Sequence, residues 1–233
     1  MPSKQTKRNA ATDPRVYDAA RRPIIMVSST VDGIEDLLEQ VFAILSAEFT
    51  VWMSYKGTVP VDSNKSNFEN CLDAVRGCDM FLGILTTSYG SGKDESQHSI
   101  THQEVREALK RNIPRWFLSH RDVELSYDLT RNLGYRIPDD IDRLNEMMKE
   151  LRRKHRHPVI DDYRVLEMYA EVIQAKKNLS ERRGNWAQPF ATAADGRVFV
   201  VSQFLRYSRA IENVEKGPLS ALRQMSREKG GQE

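Results

Sequence analysis

The chain has 233 residues, of which 39% are hydrophobic and 29% are charged, and its formal net charge is +2. This length and composition allow one sizeable hydrophobic core, with room for a smaller helical appendage. No apolar run approaches the roughly 18 residues of a membrane-spanning helix, and the N-terminus lacks the apolar core of a secretory signal. These features argue against a transmembrane or secreted protein, and we expect a cytoplasmic one without a membrane partner.

Charge is distributed unevenly along the chain. Residues 1–22 contain six basic and two acidic side chains, residues 23–120 contain eight and thirteen, and residues 121–233 contain twenty-one and eighteen. Because a nucleic-acid-binding domain concentrates positive charge on its contact surface, the acidic central part argues against nucleic acid as a partner. An alternative that keeps nucleic acid would use the basic residues at 1–22 and the run RRKHRH at 152–157.

Four apolar runs in the first 120 residues are predicted strands, and amphipathic segments between them are predicted helices. The strands are PIIMVSST at 23–30, FTVWMS at 49–54, residues 79–85 and residues 113–118, and the helices are residues 32–45, 68–77 and 101–111. Asp32 is predicted to cap the first helix. Strands that alternate with helices in this way predict an α/β fold with a doubly wound, mostly parallel sheet. We therefore predict a flexible basic arm at 1–22 and an α/β domain at 23–120.

The pattern changes after Ser119, where charged helical segments replace the apolar runs. Helices are predicted at 138–151, 161–173 and 198–211, with a turn-rich break at 184–190. We therefore predict a C-terminal helical extension at 121–225 and a polar tail at 226–233. Such an extension could mediate self-association or bind a partner protein.

The number and spacing of the cysteine and histidine residues give no strong indication of a disulfide, a metal site or a catalytic group. Cys71 and Cys78 are too few for a disulfide framework or a zinc site, so we predict small buried hydrophobic side chains and no bound metal. His98 and His102 could act as general acids or bases, but histidines in a loop of this kind are more often exposed to solvent.

Small hydroxyl residues and glycines lie at or just beyond the carboxyl ends of two predicted strands. In an open α/β sheet, ligands bind in the crevice beyond these ends. Hydroxyl and backbone N–H groups there can bind ribose or phosphate oxygens without steric obstruction. The predicted ligand-binding residues are Ser28, Ser29 and Thr30 at the carboxyl end of the first strand and Tyr89, Gly90, Ser91 and Gly92 after the third. The YGSG sequence is neither a P-loop nor a GxGxxG motif, and Tyr89 is expected to stack on a base or sugar.

Glu104 has two competing interpretations. The sequence Thr101-His102-Gln103-Glu104 has the spacing of a capping box, in which Glu104 would bond back to the backbone N–H of Thr101. A carboxylate at a helix start beside a ligand crevice can instead act as nucleophile or electrostatic stabiliser when an N-glycosidic bond is cleaved. One side chain cannot readily do both, so the direction of this carboxyl group distinguishes the two interpretations.

The succession IIMVSST, NCLDAVRGCDMFLGIL, YGSG and SITHQEVREALKRNIPRWFL resembles the TIR-like domain of unknown function that precedes NTPase and repeat regions in multidomain proteins. That family groups with TIR domains and is similar to nucleoside 2-deoxyribosyltransferases, with a flavodoxin-like fold. The resemblance covers residues 23–119. It implies that Glu104 is the catalytic carboxylate, that Ser28 and Ser29 contact the ligand, and that Asp79 or Tyr89 contacts the sugar.

The chain departs from the deoxyribosyltransferase pattern at Ser99 and Ile100, where those enzymes have an acidic residue and a glycine. The resemblance therefore implies hydrolysis of NAD or a related nucleotide rather than deoxyribosyl transfer, without a further cofactor. Because an unregulated NAD-cleaving enzyme would be toxic to its host, we expect control by assembly, with a role in bacterial defence or signalling. The alternative is a module without catalytic activity that senses a nucleotide or binds a protein.

Overall fold

The computed structural model describes residues 22–90, 92, 98–111, 113–154 and 159–205, with side chains left undescribed at 150–154. Nearly all of the predicted basic arm, the predicted polar tail and Ser91 lie outside these residues. The same holds for the side chains of the basic run at 152–157. Throughout the described part, every helix is too short or too polar to span a bilayer.

A five-stranded parallel sheet forms the centre of the molecule. In chain order the strands are β1 (Ile24–Ser29), β2 (Thr50–Met53), β3 (Met80–Leu85), β4 (Arg115–His120) and β5 (Ala187–Phe190). Their order across the sheet is β2-β1-β3-β4-β5, and every neighbouring pair is parallel. This is the doubly wound order in which the winding direction reverses between β1 and β3. The predicted α/β class with a flavodoxin-like sheet is confirmed.

Helices cover both faces of the sheet. They are α1 (Glu35–Leu45), α2 (Asn67–Gly77), α3 (Ile100–Arg111), α4 (Arg121–Asn132), α5 (Ile141–Lys154), α6 (Arg164–Val172) and α7 (Ala193–Val200), with single turns at Ser54–Lys56, Leu179–Glu181 and Val201–Leu205. Buried side chains of α2, α3, α4 and α6 share one core with the sheet. Those of α1, α7 and the turn after α7 share the core on the other face. Both cores therefore include residues from beyond position 120.

Strand β5 corrects the predicted boundary at residue 120. Its sequence AQPF is short and contains Pro189, which cannot donate a ladder hydrogen bond, so it was expected to be part of a turn-rich break. The strand pairs with β4 alone and lies at the edge of the sheet, where proline is tolerated. The sheet is therefore not completed within residues 23–120, and the extension is not wholly helical.

Three helix predictions also need correction. Helix α4 was not predicted, because its apolar residues stand at every second position in sequence, although Val123, Tyr127 and Thr130 form its buried stripe. Helix α7 begins at Ala193, where Thr192 and Asp195 form a capping box, rather than at residue 198. Residues 206–211 of that predicted helix lie outside the described part of the chain. Asp32 does not cap α1, whose N-cap position is Ile34.

Candidate functional site

A cleft of about 430 Å³ lies at the carboxyl ends of β1 and β3. The loop after β1 forms one wall, the loop after β2 and the start of α2 form a second, and α3 forms a third. The residues that line it are Ser29, Thr30, Val31, Asp32, Ser54, Gly57, Val59, Val61, Asn67, Asn70, Cys71, Gly90, Ile100, Thr101 and Glu104. The cleft is therefore at the sheet edge that the sequence predicted, where the order of the strands reverses.

Glu104 turns toward the carboxyl end of β1 and not back along its own helix. Ser28 Oγ donates a hydrogen bond of 2.5 Å to Glu104 Oε2. Helix α3 is capped two residues earlier than expected, because Ser99 Oγ accepts a 3.3 Å hydrogen bond from the backbone N–H of His102. Thr101 thus lies inside α3. The capping-box interpretation of Thr101 and Glu104 is wrong.

The environment of Glu104 favours its neutral form. The side chain is only 4% exposed, and burial raises the pKa of its carboxyl group to about 7. Hydrogen bonds from the Ser28 hydroxyl and the Cys71 thiol stabilise the carboxylate and limit the rise in pKa. Burial and the nearby carboxylate raise the pKa of Cys71 to about 12, so this thiol remains a neutral donor. Near neutral pH, Glu104 can therefore exist with or without its proton.

The loops after β1 and β3 are in direct contact beside the carboxyl group of Glu104. Thr30 Oγ1 lies 2.5 Å from Thr86 Oγ1 and donates to the backbone oxygen of Ser88 at 3.2 Å. Gly90 has a φ of +87°, and a Cβ atom there would lie 2.7 Å from Thr30 Cγ2. A larger residue at position 90 would therefore force the two loops apart.

The remaining hydroxyl and glycine residues differ in how they meet the cleft. The Ser29 hydroxyl donates to the backbone oxygen of Thr30 at 2.6 Å, and Ser29 lines the cleft. Gly92 has a φ of +73°, and a Cβ atom there would lie 3.1 Å from the side chain of Ile100, which lines the cleft. Ser91, between the two glycines, lies outside the described residues. Ser28, Ser29, Thr30, Gly90 and Glu104 are thus the predicted site residues that the fold brings together.

Asp79 and Tyr89 are not brought into the cleft. Asp79 precedes β3, where its carboxylate accepts a 2.8 Å hydrogen bond from the backbone N–H of Ile24 at the start of β1. This is the amino edge of the sheet, about 20 Å from the cleft for strands of this length. Tyr89 is 1% exposed and bonds through its hydroxyl to His102 Nδ1 at 2.6 Å. The Tyr89 ring is therefore part of the core and is not available to stack on a base.

Sequence reasoning missed two groups from α2 that belong to the cleft. Cys71 reaches the carboxyl group of Glu104, although it was predicted to be only a small buried side chain. Asn70 is 6% exposed and binds the preceding loop, where its amide donates to the backbone oxygens of Asp62 and Lys65. The polar loop between β2 and α2 was the available signal in the sequence. This loop leads from the carboxyl end of β2 to the start of α2, so the start of α2 lies at the same edge of the sheet as Ser28.

A second polar cluster lies on the opposite face of α3. His102 is fully buried, and its Nε2 lies 3.2 Å from a carboxylate oxygen of Glu171 on α6. Arg106 forms ion pairs with Glu171 at 2.6 Å and with Glu167 at 3.1 Å. His98 packs edge-on against His102 with ring centroids 4.9 Å apart, and burial together with the charge of Arg106 lowers its pKa. Neither histidine is the solvent-facing loop residue that was expected.

The described residues contain no cluster of three or more His, Cys, Asp or Glu side chains that could hold a metal ion.

A family model described as a domain of unknown function, DUF4062, matches residues 24–180. The match covers the chain from β1 to the turn after α6, and so includes every described side chain that lines the cleft. Searches of curated proteins and of solved structures found no match to the chain.

Proposed function

We propose that this chain, which belongs to the DUF4062 family, hydrolyses the N-glycosidic bond of NAD or a related nucleotide with Glu104 as its catalytic carboxyl group. The observation that carries the proposal is the carboxyl group itself. It lies at the wall of an open cleft, accepts a hydrogen bond from Ser28, and has a pKa raised to about 7. Perturbed ionisable groups in clefts are commonly functional.

The proposed reaction breaks the bond between ribose C1′ and the nicotinamide nitrogen. Water adds to C1′, so the products are nicotinamide, ADP-ribose and one proton. The transition state resembles an oxocarbenium ion, and the carboxylate form of Glu104 would stabilise its positive charge. Ser28 would hold that carboxylate in a fixed orientation, and burial would strengthen the attraction because little water screens it.

The size of the cleft agrees with a ligand of this class. Small-molecule sites occupy about 300–1,000 Å³, and the cleft has a volume of about 430 Å³. The hydroxyl of Ser29 and the side chain of Asn67 line the cleft and could bind ribose hydroxyls.

Nicotinamide release from NAD by the full-length protein tests this function. The wild type is expected to release nicotinamide, and Glu104→Gln is expected to lose at least about 100-fold in rate, as when other transition-state stabilisers are removed. Glu107→Gln is the matched control. Glu107 lies on the same helix but pairs with Arg76 at 3.0 Å outside the cleft. Equal rates for wild type and Glu104→Gln would refute the catalytic assignment.

A module without catalytic activity is the second candidate, and the two-sided character of α3 favours it. One face of this helix carries Glu104 in the cleft, and the opposite face is joined to α6 by Arg106 and His102. A ligand that moves α3 would therefore also act on the helices beyond β4. Binding of NAD by calorimetry without nicotinamide release, together with a change in oligomeric size on binding, would favour this sensor over the hydrolase.

A further inference from the structure

A basic groove lies between the end of α4 and the segment that follows α6. We define it by its four basic side chains, Arg131, Arg136, Lys176 and Arg182. Its volume is about 350 Å³, and Asp139 is the one acidic residue among the described residues that line it. The groove thus concentrates positive charge in a molecule whose formal net charge is only +2.

The groove is separate from the cleft that contains Glu104. Helix α4 starts directly after the carboxyl end of β4 and runs back along the sheet for about 18 Å, given its 12 residues. Arg131, in its last turn, is therefore near the amino edge of the sheet. Ile137, Ala175 and Lys176 also line an adjoining cavity that includes Arg115, the first residue of β4. The two sites consequently lie at opposite edges of the sheet.

The four basic side chains of the groove have no ion-pair partner in the part of the chain that the structure describes, although the Asp140 carboxylate accepts a hydrogen bond from the backbone N–H of Arg136. None of the ion pairs formed there involves Arg131, Arg136, Lys176 or Arg182. Arg182 is held in place by hydrogen bonds to the backbone oxygens of Lys177 and Ala175, at 3.0 and 3.4 Å. Several cations that repel one another around one cavity favour an anion of more than one charge.

The floor of the groove is aromatic and apolar. The guanidinium group of Arg131 lies over the ring of Tyr127, 5.5 Å from its centroid, and Tyr135 and Ile173 complete the floor. Flat arginine and tyrosine surfaces bind planar rings by stacking, whereas guanidinium groups bind phosphate oxygens in pairs. The groove therefore combines the two kinds of surface that a base and its phosphates require.

We propose that the basic groove is a second ligand site, which binds a nucleotide through its phosphates and its base. The phosphates would contact Arg136 and Lys176 at the rim. The base would lie against the Arg131 guanidinium group and the face of Tyr135 opposite the Arg143 guanidinium group, which is 5.3 Å from the ring centroid. This site does not depend on the activity proposed for the cleft, because it shares no residue with it.

Calorimetric titration of the full-length protein with ADP, adenosine and pyrophosphate tests this site. ADP is expected to bind, and Arg136→Glu and Lys176→Glu are each expected to weaken binding at least about tenfold, because each removes a charge-assisted contact. Adenosine and pyrophosphate, which each lack one half of the ligand, should bind at least about tenfold more weakly than ADP. The affinity for ADP should also fall as the salt concentration rises.

Arg121→Glu is the matched control, since it makes the same charge change on an exposed residue at the opposite end of α4. It should leave ADP affinity unchanged, and the neutral variant Arg136→Gln should weaken binding less than Arg136→Glu. The proposal fails if the groove variants bind ADP as tightly as wild type, or if pyrophosphate binds as tightly as ADP. Tighter binding of a 12-nucleotide RNA than of ADP would also overturn it, in favour of a nucleic-acid surface.

Discussion

At the level of single residues, Glu104 lies in an environment that glutamate side chains rarely occupy. Glutamate is rarely buried without a cationic partner, yet this carboxyl group is 4% exposed and bonds to a hydroxyl and a thiol. Neither Ser28 nor Cys71 carries a charge that could offset the cost of burying the carboxylate. The protein therefore holds an ionisable group in the cleft at some cost to its stability.

The first prediction concerns stability. Glu104 has a pKa near 7 in the folded protein and an ordinary value of 4.5 when unfolded, so the folded state binds its proton more tightly. The contribution of Glu104 to the free energy of unfolding should thus fall by about 3 kcal/mol as the pH rises from below 4.5 to above 7. Glu104→Gln has no ionisable group at this position and so avoids this loss of stability. In urea unfolding, the variant should be more stable than wild type at pH 8 and similar to it at pH 4.5. A variant that is less stable than wild type at pH 8 would contradict this.

The second prediction concerns the pH dependence of the proposed hydrolysis. If the carboxylate of Glu104 is the active form, nicotinamide release should rise with pH through a midpoint near 7. Ser28→Ala removes a hydrogen bond that stabilises the carboxylate, so the midpoint should shift to higher pH. Ser119→Ala is the control, because this buried hydroxyl donates to the backbone oxygen of His120 and Ser119 does not line the cleft. An unchanged midpoint in Ser28→Ala would mean that the pH dependence of nicotinamide release does not arise from Glu104.

At the level of elements, α3 joins the two halves of the chain. Its cleft-facing side carries Thr101 and Glu104, and its other side carries His102 and Arg106, spaced four residues apart on one stripe. The side with His102 and Arg106 meets α6 through Glu171, whose carboxylate binds both of these side chains. Helix α6 therefore helps to determine where α3, and with it the carboxyl group of Glu104, lies.

The third prediction concerns this junction. Burial opposes the charged form of Glu171, but hydrogen bonds from His102 and Arg106 outweigh it and hold the pKa at about 2. Glu171→Gln should lower the free energy of unfolding by about 1–3 kcal/mol at pH 7, because Arg106 and His102 lose a charged partner. The stabilisation from Glu171 is complete above pH 4.5 and is lost as the pH falls toward 2. The difference between variant and wild type should therefore shrink over that range.

Denaturant unfolding at pH 7 and pH 3 measures this effect. Glu146→Gln provides the control, since Glu146 pairs with Lys149 on the surface of α5 and is 69% exposed. Such a surface pair contributes little, so its loss should be nearly neutral at both pH values. Equal effects of the two substitutions at pH 7 would mean that the junction between α3 and α6 does not stabilise the fold.

At the level of the whole molecule, the sheet and its two cores depend on residues well beyond β4. Strand β5 completes the sheet at the β4 edge, and α4 and α6 on one face and α7 on the other cover it. Phe117 and Leu118 of β4 are fully buried by these elements. A sheet that lacked them would expose both apolar surface and an open strand edge.

The fourth prediction follows from this dependence. A chain that ends after residue 120 should not fold stably, and it should aggregate because β4 loses its neighbour and its helical cover. Circular dichroism and limited proteolysis compare it with the full-length protein, which should unfold cooperatively and resist cleavage. If the truncated chain unfolds in one cooperative transition, residues up to 120 fold as a domain on their own and the predicted boundary is right.

Local sequence pattern was sufficient for the elements that lie at the centre of the sheet. The apolar runs of β1 and β3 are buried on both faces, and such runs alternating with amphipathic helices specify a parallel α/β sheet. The rule that ligands bind at the carboxyl ends of such strands placed the cleft at the correct edge. It also brought Glu104 and Ser28 forward as candidates, although they are 76 positions apart in sequence.

Only the tertiary structure decided which way the side chains at that edge point. Periodicity reports which residues are buried, but it does not say whether Tyr89 turns into the core or Glu104 into the cleft. Those directions depend on where α3 is capped and on what packs behind it, and Ser99 and α6 determine both. Strand β5 was equally beyond prediction, because AQPF forms a strand only when β4 presents an edge to pair with. Contacts between distant segments, which no local pattern records, therefore complete both the sheet and the candidate site.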